Sequence, residues 1–157
     1  MADDNRAQWQ PFPAFNFVVE IVPDGAGSPL AGASFSECDG IEMSQEVKTL
    51  REGGNSKRVY RLAGPVAFGQ LTLKRGVTSG FDLWQWFSDS LEKPWLRAGV
   101  TVSVFKQDRT EWGRFVLSRC LPVKLKAPAL NARDGNVAIE EMQIAYETFM
   151  WKDTSNG

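Results

Sequence analysis

Few side chains in this sequence of 157 residues could carry catalysis, because it contains no histidine and two cysteines. Without histidine the chain lacks the commonest general base, the usual partner of a serine or cysteine nucleophile, and a frequent ligand of zinc and copper. Cys38 and Cys120 each fall within a predicted strand, and the acidic N-terminus does not resemble a signal peptide, so we expect reduced, buried thiols. The sequence leaves open whether the two form a disulfide.

Paired carboxylates are another route to acid–base catalysis, and Glu140 and Glu141 are adjacent. On a regular strand such neighbours point to opposite faces, and on a bulge both would be solvated, so the pair does not predict a catalytic dyad. The segment Gly53-Gly54-Asn55 lacks the Gly-Lys-Ser/Thr motif and the strand-to-helix context of a phosphate loop. We therefore expect no enzymatic activity, no metal site and no cofactor.

Charge is segregated along the chain, although the net charge is only −1. Residues 1–47 sum to −7, residues 48–75 sum to +6, and the remainder is balanced. An acidic and a basic block suit head-to-tail contact between identical copies, which closes into rings or continues into filaments. The absence of a net basic charge argues against specific nucleic-acid binding, and no apolar run is long enough to span a membrane.

Alternation of apolar and polar residues predicts a mainly β fold, an antiparallel β-sandwich or barrel with one flanking α-helix at about residues 80–92. Ser79 is the predicted N-cap of that helix. Its predicted inward face consists of Leu83, Trp84, Trp86, Phe87 and Leu91. In the last strand, predicted over residues 136–149, the apolar positions change parity near Glu140, which predicts a β-bulge. The length predicts a single domain over residues 1–157, with flexible ends at 1–12 and 151–157.

An extended arm is predicted at about residues 51–62. Gly53-Gly54-Asn55 can supply positive φ angles at its turn, and Ala63-Gly64-Pro65 are predicted to end it. An ordinary hairpin loop is the simpler interpretation. However, Val59, Tyr60 and Leu62 lie among basic residues, and exposed apolar residues in such a setting favour a docking surface.

Seven segments in fixed order resemble the tail tube proteins of contractile phage tails and related contractile injection systems. They are AFNFVVEI, FSECDGIE, REGGN, GQLTLKRGV, DLWQWF, LPVKLKAP and NVAIEEMQIAYE, and together they span roughly residues 12–150. The resemblance implies a β-sandwich or β-barrel subunit that forms sixfold rings, which stack into a hollow tube inside a contractile sheath. It implies as partners further copies of the chain, the sheath protein, baseplate or spike proteins, tube-terminator proteins and cargo in the lumen. It also implies synthesis in the bacterial cytoplasm and incorporation into a phage tail or a tail-like particle, cytoplasmic or released.

Under this resemblance, two groups of residues become candidate sites. The interface between subunits or stacked rings would join the arm to the acidic block, and comprises Arg51, Glu52, Gly53, Gly54, Asn55, Lys57, Arg58, Tyr60, Arg61, Glu37, Asp39 and Glu42. Outward-facing strand residues would line a wet lumen of mixed charge, and comprise Ser44, Glu46, Lys48, Gln70, Thr72, Lys74, Gln143 and Glu147.

Other functions stay open at this point. One is a baseplate-proximal adaptor or tube-initiating paralogue of the same particle. Another, from a different class, is a monomeric β-sandwich module that binds sugar or peptide through Trp9, Trp95, Trp112 or Trp151. A hydrolase on a β-scaffold is the weakest alternative, because the chain has no histidine.

Overall fold

The computed structural model describes residues 16–30, 35–54, 57–77, 80–133 and 135–154. Within these ranges the chain forms nine β-strands and one α-helix. In chain order they are β1 (Asn16–Pro23), β2 (Glu37–Asp39), β3 (Met43–Arg51), β4 (Val59–Phe68), β5 (Gln70–Gly76), α1 (Asp82–Glu92), β6 (Ala98–Phe105), β7 (Glu111–Lys126), β8 (Ile139–Ala145) and β9 (Thr148–Asp153). The predicted mainly β fold with one helix is confirmed.

The long strand β7 joins two antiparallel sheets. Its first part lies between β6 and β9, and β1 pairs with β6, which makes sheet A. Its last part pairs with β8, followed by β5 and β2, which makes sheet B. Arg119 has a positive φ of 52°, and the register shifts between Pro122 and Lys124, so the strand changes direction between the sheets. The described residues form a sandwich-like fold and no closed barrel.

The core lies between the inner faces of the two sheets and under α1. On β1 the alternation is as predicted, because Val19 and Ile21 are fully buried while Glu20 is exposed. The central strands contribute a continuous apolar layer of Leu71, Leu73, Val100, Val102, Leu117, Met142 and Ile144.

The buried face of α1 is narrower than the sequence predicted. Leu83 and Trp86 are buried and Phe87 packs partly against the core, following the i, i+3, i+4 spacing of a single stripe. Trp84 lies beside that stripe, and Leu91 continues its spacing but lies in the last turn of the helix, and both are exposed. Their predicted inward placement was therefore wrong.

The start of α1 also differs from the prediction. Ser79 lies outside the described residues, and the helix begins at Asp82 with Phe81 in the N-cap position and no side-chain capping bond. An acidic residue in the first turn complements the helix dipole. Here the carboxylate of Asp82 additionally binds Arg75 of β5, so an ion pair to the sheet anchors this end of the helix.

The bulge predicted near Glu140 was wrong, because β8 pairs with β5 without a register shift. Glu140, Met142 and Ile144 are all buried in strict alternation. The apparent change of parity in the sequence arises because a carboxylate occupies an inward position, where the guanidinium of Arg75 binds it.

The loose C-terminal tail predicted at 151–157 was wrong for its first residues. Trp151–Asp153 belong to β9, where Trp151 is paired in register with Phe115 of β7. The ring of Trp151 lies 4.6 Å from that of Phe115 and 4.7 Å from that of Trp112, measured between centroids. Aromatic packing thus adds to the backbone pairing that holds this segment. Residues 155–157, like the predicted flexible end at 1–12, lie outside the described residues.

Candidate functional site: a β-hairpin and the polar face of a sheet

Strands β3 and β4 form an antiparallel hairpin that belongs to neither sheet of the sandwich. Every residue of β3 and most of β4 are exposed, and the two strands pack mainly against each other. A two-stranded hairpin is only marginally stable in water by itself. Its large exposed surface is therefore suited to burial against another chain.

The hairpin is an extension of the edge of sheet B. Only Gly69 separates β4 from β5, and residues 40–42 separate β2 from β3. The N–H of Gly69 donates to the carbonyl oxygen of Glu42 at 3.1 Å, so the backbone ladder continues across this joint. The four strands thus form one long ribbon, whose near half belongs to sheet B.

Gly40 and Tyr146 fix the joint between β2 and β3. Gly40 has a φ of +93°, a conformation that only glycine adopts without strain. The buried hydroxyl of Tyr146 donates to the carbonyl of Gly40 at 2.8 Å and accepts from the N–H of Glu42 at 3.0 Å. The core therefore determines the direction in which the hairpin leaves the sheet.

One face of the hairpin continues the core side of sheet B. Phe68 packs edge-on against Tyr146 and Phe149, with ring centroids 6.1 and 5.8 Å apart, so its face of the hairpin is the inner one. The cross-strand register places on this face, called the apolar face below, Met43, Val47, Val59, Ala63 and Val66. It also places there the polar and charged residues Gln45, Thr49, Arg51 and Arg61. The large apolar side chains are about half exposed. The apolar surface of the ribbon therefore extends beyond the subunit's own core.

The opposite face of the hairpin is polar near its base and apolar near its tip. It carries the predicted lumen residues Ser44, Glu46 and Lys48. Closer to the tip, Leu50 and Tyr60 form a cross-strand pair and Leu62 pairs with Lys48, and all three apolar side chains are exposed. Near the tip, exposed apolar residues therefore lie on both faces of the hairpin, with Val59 on the first face.

The predicted arm corresponds to the tip of this hairpin. The side chains of Arg51, Glu52, Lys57, Arg58 and Arg61 are exposed there. Gly54 has a φ of +100°, as expected for a glycine at the turn, and Asn55 lies outside the described residues. The charged tip is thus presented to solvent at the end of the ribbon.

Ala63-Gly64-Pro65 do not end the arm as predicted, because they lie inside β4. Between the pairs Gln45–Val66 and Val47–Ala63 the register advances by two residues on β3 and three on β4. This bulge accommodates Pro65, which has no N–H to give to the ladder.

The acidic residues predicted to receive the arm, Glu37, Asp39 and Glu42, are exposed on β2 and just after it. The carboxylate of Glu37 already pairs with the ammonium of Lys74 at 3.0 Å, and Asp39 accepts the N–H of Gly40 at 2.7 Å. Arg75, counted in the basic block, is buried. The two charge blocks are therefore partly neutralised within the subunit.

The outer face of sheet B carries polar rows across four strands. The register aligns Glu37, Lys74, Glu141 and Lys126 in one row, and Asp39, Thr72, Gln143 and Lys124 in the next. Each row has no net charge, and together they bring the predicted lumen residues Thr72, Lys74 and Gln143 onto one face. Gln70 is exposed further along β5.

Glu147 does not join these rows. It follows the end of β8 and pairs with Arg119 at 3.0 Å. Glu141, Lys124 and Lys126 also lie on this face and were not predicted there from the sequence. The alternation of lysine with apolar residues in VKLK was the signal for the two lysines.

A buried ion cluster connects α1 to sheet B. The guanidinium of Arg75 donates to Glu140 and to Asp82, with Nη1 3.2 Å from Oδ2 of Asp82. The indole N–H of Trp84 donates to Glu140 at 3.3 Å. Burial opposes ionisation of Asp82, but the hydrogen bonds and charge of Arg75 outweigh it and hold the pKa of Asp82 below its ordinary value. The cluster is a structural joint between three elements.

The described residues contain no cluster of three or more Asp, Glu or Cys side chains placed to hold a metal ion. Cys38 and Cys120 are free thiols. Burial raises the pKa of Cys120 to about 12, and burial together with the charge of Asp39 raises that of Cys38 to about 11, so both are weak nucleophiles. Of the described residues, none belongs to a helix whose length and hydropathy would suit a membrane span.

A family model described as T4-like virus tail tube protein gp19 matches residues 13–150. Among solved structures, the chain is similar to one in the cryo-EM structure of the anti-feeding prophage (AFP) baseplate, with 25% identity and a TM-score of 0.82 over 93% of this chain and 98% of that one. It is also similar to one in the extended PVC sheath–tube complex of an extracellular contractile injection system, with 18% identity and a TM-score of 0.79 over 98% and 99% of the two chains. Hcp1 from Flavobacterium johnsoniae shares 15% identity and a TM-score of 0.57 over 85% and 94%. No curated protein matches the chain by sequence.

Proposed function

Because this chain belongs to the T4-like virus tail tube protein gp19 family, we propose that it is the repeating subunit of the inner tube of a contractile injection system or phage tail. Copies of the chain assemble into hexameric rings, and the rings stack head to tail into a hollow conduit for cargo. The protein acts by assembly and passage rather than by catalysis.

The apolar face of the hairpin is the observation that carries this proposal. Met43, Val47, Val59 and Val66 continue the core side of sheet B and remain about half exposed in the single chain. Burying the exposed half of each side chain against a neighbour contributes about 1 kcal/mol to association, about half the usual value for full burial. The four side chains together therefore come close to the lower bound of the free-energy cost of association, roughly 4 kcal/mol. In a closed ring each copy makes this contact with two neighbours, so a contact that is weak for one pair is sufficient to hold the ring together.

The polar face of sheet B and the adjoining face of the hairpin form the wall of the lumen in this proposal. Charges alternate along the row that contains Lys74 and Glu141, and the next row has Asp39 and Lys124 at its two ends, so the wall has charges of both signs and no net charge in either row. Such a wall retains neither a strongly acidic nor a strongly basic cargo. Pairing of strand edges between copies would also cover the exposed edges of the ribbon.

The partners of the tube are the sheath, the baseplate or spike, and the tube terminator. Support comes from similar chains that occur in a baseplate structure and in a sheath–tube complex. The protein is made in the bacterial cytoplasm and becomes part of a phage tail or tail-like particle. Of the tryptophans in the binding-module alternative, Trp112 and Trp151 pack against each other with ring centroids 4.7 Å apart, Trp95 is exposed, and Trp9 lies outside the described residues.

A baseplate-proximal tube adaptor is the second candidate. One observation favours it: a similar chain, at 25% identity, belongs to a baseplate structure. Copy number in the isolated particle separates the two roles. The amount of a tube subunit increases with the length of the tube, whereas an adaptor is confined to a fixed number of rings.

Electron microscopy of the purified chain tests the proposal. We expect rings or tubes from the wild type, none from Val47→Asp on the apolar face, and normal assembly from the matched control Lys48→Ala on the opposite face. Circular dichroism and thermal melting should show that both variants fold, because these side chains are exposed in the subunit. A wild-type chain that stays monomeric at high concentration, with and without sheath protein, would overturn the proposal, as would normal assembly of Val47→Asp.

A further inference from the structure

A cavity of about 510 Å³ lies on the polar face of sheet B, beside the connection between β7 and β8. The row of Glu37, Lys74, Glu141 and Lys126 lines it on the sheet side, and the connection supplies the remaining wall. Pockets of this size commonly bind small ligands. The cavity is therefore large enough for a short stretch of peptide but not for a folded domain.

Two charged side chains of this cavity are not paired within the subunit. Lys74 lies between two carboxylates in the row and binds that of Glu37 at 3.0 Å. Glu141 and Lys126 are cross-strand neighbours, but neither makes an ion pair or a hydrogen bond with any residue that the structure describes. The cavity thus offers a ligand one carboxylate and one ammonium group, with no net charge.

The connection between β7 and β8 also presents backbone groups to this cavity. Residues 127–130 and 136–137 lie outside the strands and make no backbone hydrogen bonds within the described part of the chain. Pairing resumes at Ala138, whose carbonyl oxygen accepts from the N–H of Val77 at 2.9 Å. Unpaired N–H and C=O groups beside a strand are the groups with which an extended peptide pairs when it adds to a sheet.

Apolar surface and small side chains complete the lining. Val137 and Ile139 are 78% and 50% exposed. Beside them, Ala127, Ala129 and Ala138 occupy little of the cavity. A ligand therefore has space next to the backbone and an apolar surface to cover.

This lining distinguishes between classes of ligand. A strongly basic or strongly acidic segment would bring like charge to Lys126 or to Glu141, and nucleic acid would bring phosphates to Glu37 and Glu141. An extended peptide with one cationic and one anionic side chain meets opposite charges at both positions, and its backbone can pair with the connection. The charges and the backbone groups therefore favour the same kind of ligand.

We propose that the cavity binds an extended polypeptide segment that carries both a cationic and an anionic side chain. The cation lies beside Glu141, the anion lies beside Lys126, and the backbone of the segment pairs with the connection between β7 and β8. This binding is a property of the single chain. The source of the segment rests on the proposed function: the cavity opens into the lumen, so the segment belongs to the cargo. Weak binding repeated at every subunit retains such a cargo in the tube.

Fluorescence anisotropy of a labelled peptide tests the site in the full-length wild-type chain. The probe is the capped peptide Val-Lys-Thr-Glu-Val, whose lysine and glutamate are two residues apart and therefore lie on the same side of an extended backbone. We expect saturable binding of this probe. The peptides Val-Lys-Thr-Lys-Val and Val-Glu-Thr-Glu-Val should bind more weakly, because each places one charge next to a like charge of the cavity.

Removing either unpaired charge should weaken binding of the probe. Glu141→Gln and Lys126→Gln should each lower the affinity about tenfold, from the usual strength of a hydrogen bond to a charged group. Lys152→Gln, exposed on β9 of sheet A, is the control and should bind the probe as the wild type does. Neither cavity side chain is buried, so thermal melting should show that both variants fold.

Ala129→Cys tests in assembled tubes whether the cavity is accessible to cargo. A small maleimide should label this thiol, and an excess of the probe peptide should slow the labelling. A thiol that reacts only after disassembly would show that another copy covers the cavity, which would overturn the assignment to cargo.

The outcomes distinguish the peptide site from the proposed function. No saturable binding by the wild-type chain, equal binding of the three peptides, or unchanged binding by Glu141→Gln or Lys126→Gln would each overturn the peptide site and leave the tube intact. A chain that binds the probe but forms neither rings nor tubes would overturn the proposed function and the assignment to cargo, while the peptide site would stand.

Discussion

Gly40 and Gln70 approach so closely that a Cβ at residue 40 would lie 1.9 Å from the carbonyl oxygen of Gln70. The contact joins the turn after β2 to the first residue of β5, at the point where the hairpin leaves sheet B. Because the obstructing atom belongs to the backbone, it cannot move aside as the end of a flexible side chain could. A residue without a side chain is therefore required for the hairpin to keep its direction.

Gly40→Ala should destabilise the subunit and prevent assembly. Its positive φ alone costs an alanine about 1–2 kcal/mol, and the collision with Gln70 adds to this. Gly25 is the matched control, because it has a φ of +81° and no neighbour within 4 Å of a built Cβ. Urea denaturation should show a larger loss of unfolding free energy for Gly40→Ala than for Gly25→Ala. Equal losses would mean that the backbone contact is relieved elsewhere.

Arg75→Met should be among the most destabilising single changes in the chain. It leaves the carboxylates of Glu140 and Asp82 without their cation, and breaking such a buried pair costs about 3–5 kcal/mol. The neighbouring Lys74→Met is the control, since its ion pair with Glu37 is largely solvated and should contribute little. Comparable midpoints of chemical denaturation for the two variants would contradict the structural role of the cluster.

The stability of the subunit should fall in acid partly through Asp82. Its pKa in the folded state lies below its ordinary value of 3.8, so the unfolded chain takes up the proton first as the pH falls. The contribution of Asp82 is complete above about pH 5 and is lost as the pH falls through the folded-state pKa. The difference in unfolding free energy between wild type and Asp82→Asn should therefore be constant from pH 5 to 7 and shrink below pH 4. A difference that does not change with pH would exclude this linkage.

Thr72 tests the proposal that the polar face of sheet B lines the lumen of a tube. In assembled tubes, Thr72→Cys should react with a small maleimide but not with a polyethylene-glycol maleimide too large to enter the tube. After disassembly both reagents should react, because residue 72 lies on the outer face of the sheet in the single subunit. Equal labelling by both reagents in intact tubes would place this face on the outside.

The alternation of apolar and polar residues predicted β1 correctly, because Val19 and Ile21 define its buried face. On β5 it predicted the inward Leu71 and Leu73, but the third inward residue is the charged Arg75. β8 was misread because Glu140 counts as polar in any such pattern, and only the register with β5 shows that Arg75 neutralises it. The identity of an ion-pair partner depends on which strands become neighbours.

The candidate surfaces, like the strands, could be predicted from the sequence only in part. The basic tip and its apolar neighbours, such as Tyr60, were evident from composition. The reach of β4 was missed because Gly64 and Pro65 normally end a strand, and only the opposing strand shows that they form a bulge. The negative charge available to bind the arm was overestimated, because Glu37 already pairs with Lys74. That pairing follows from the register of β2 and β5, which the sequence does not show.

The near-continuity of β4 and β5 through Gly69 has a mechanical consequence. A push or pull applied at Tyr60 is transmitted to Lys74 along covalent bonds of an extended backbone, which is far stiffer than any side-chain contact. Load applied at the tip of the hairpin therefore passes into sheet B through the backbone and does not depend on side-chain contacts.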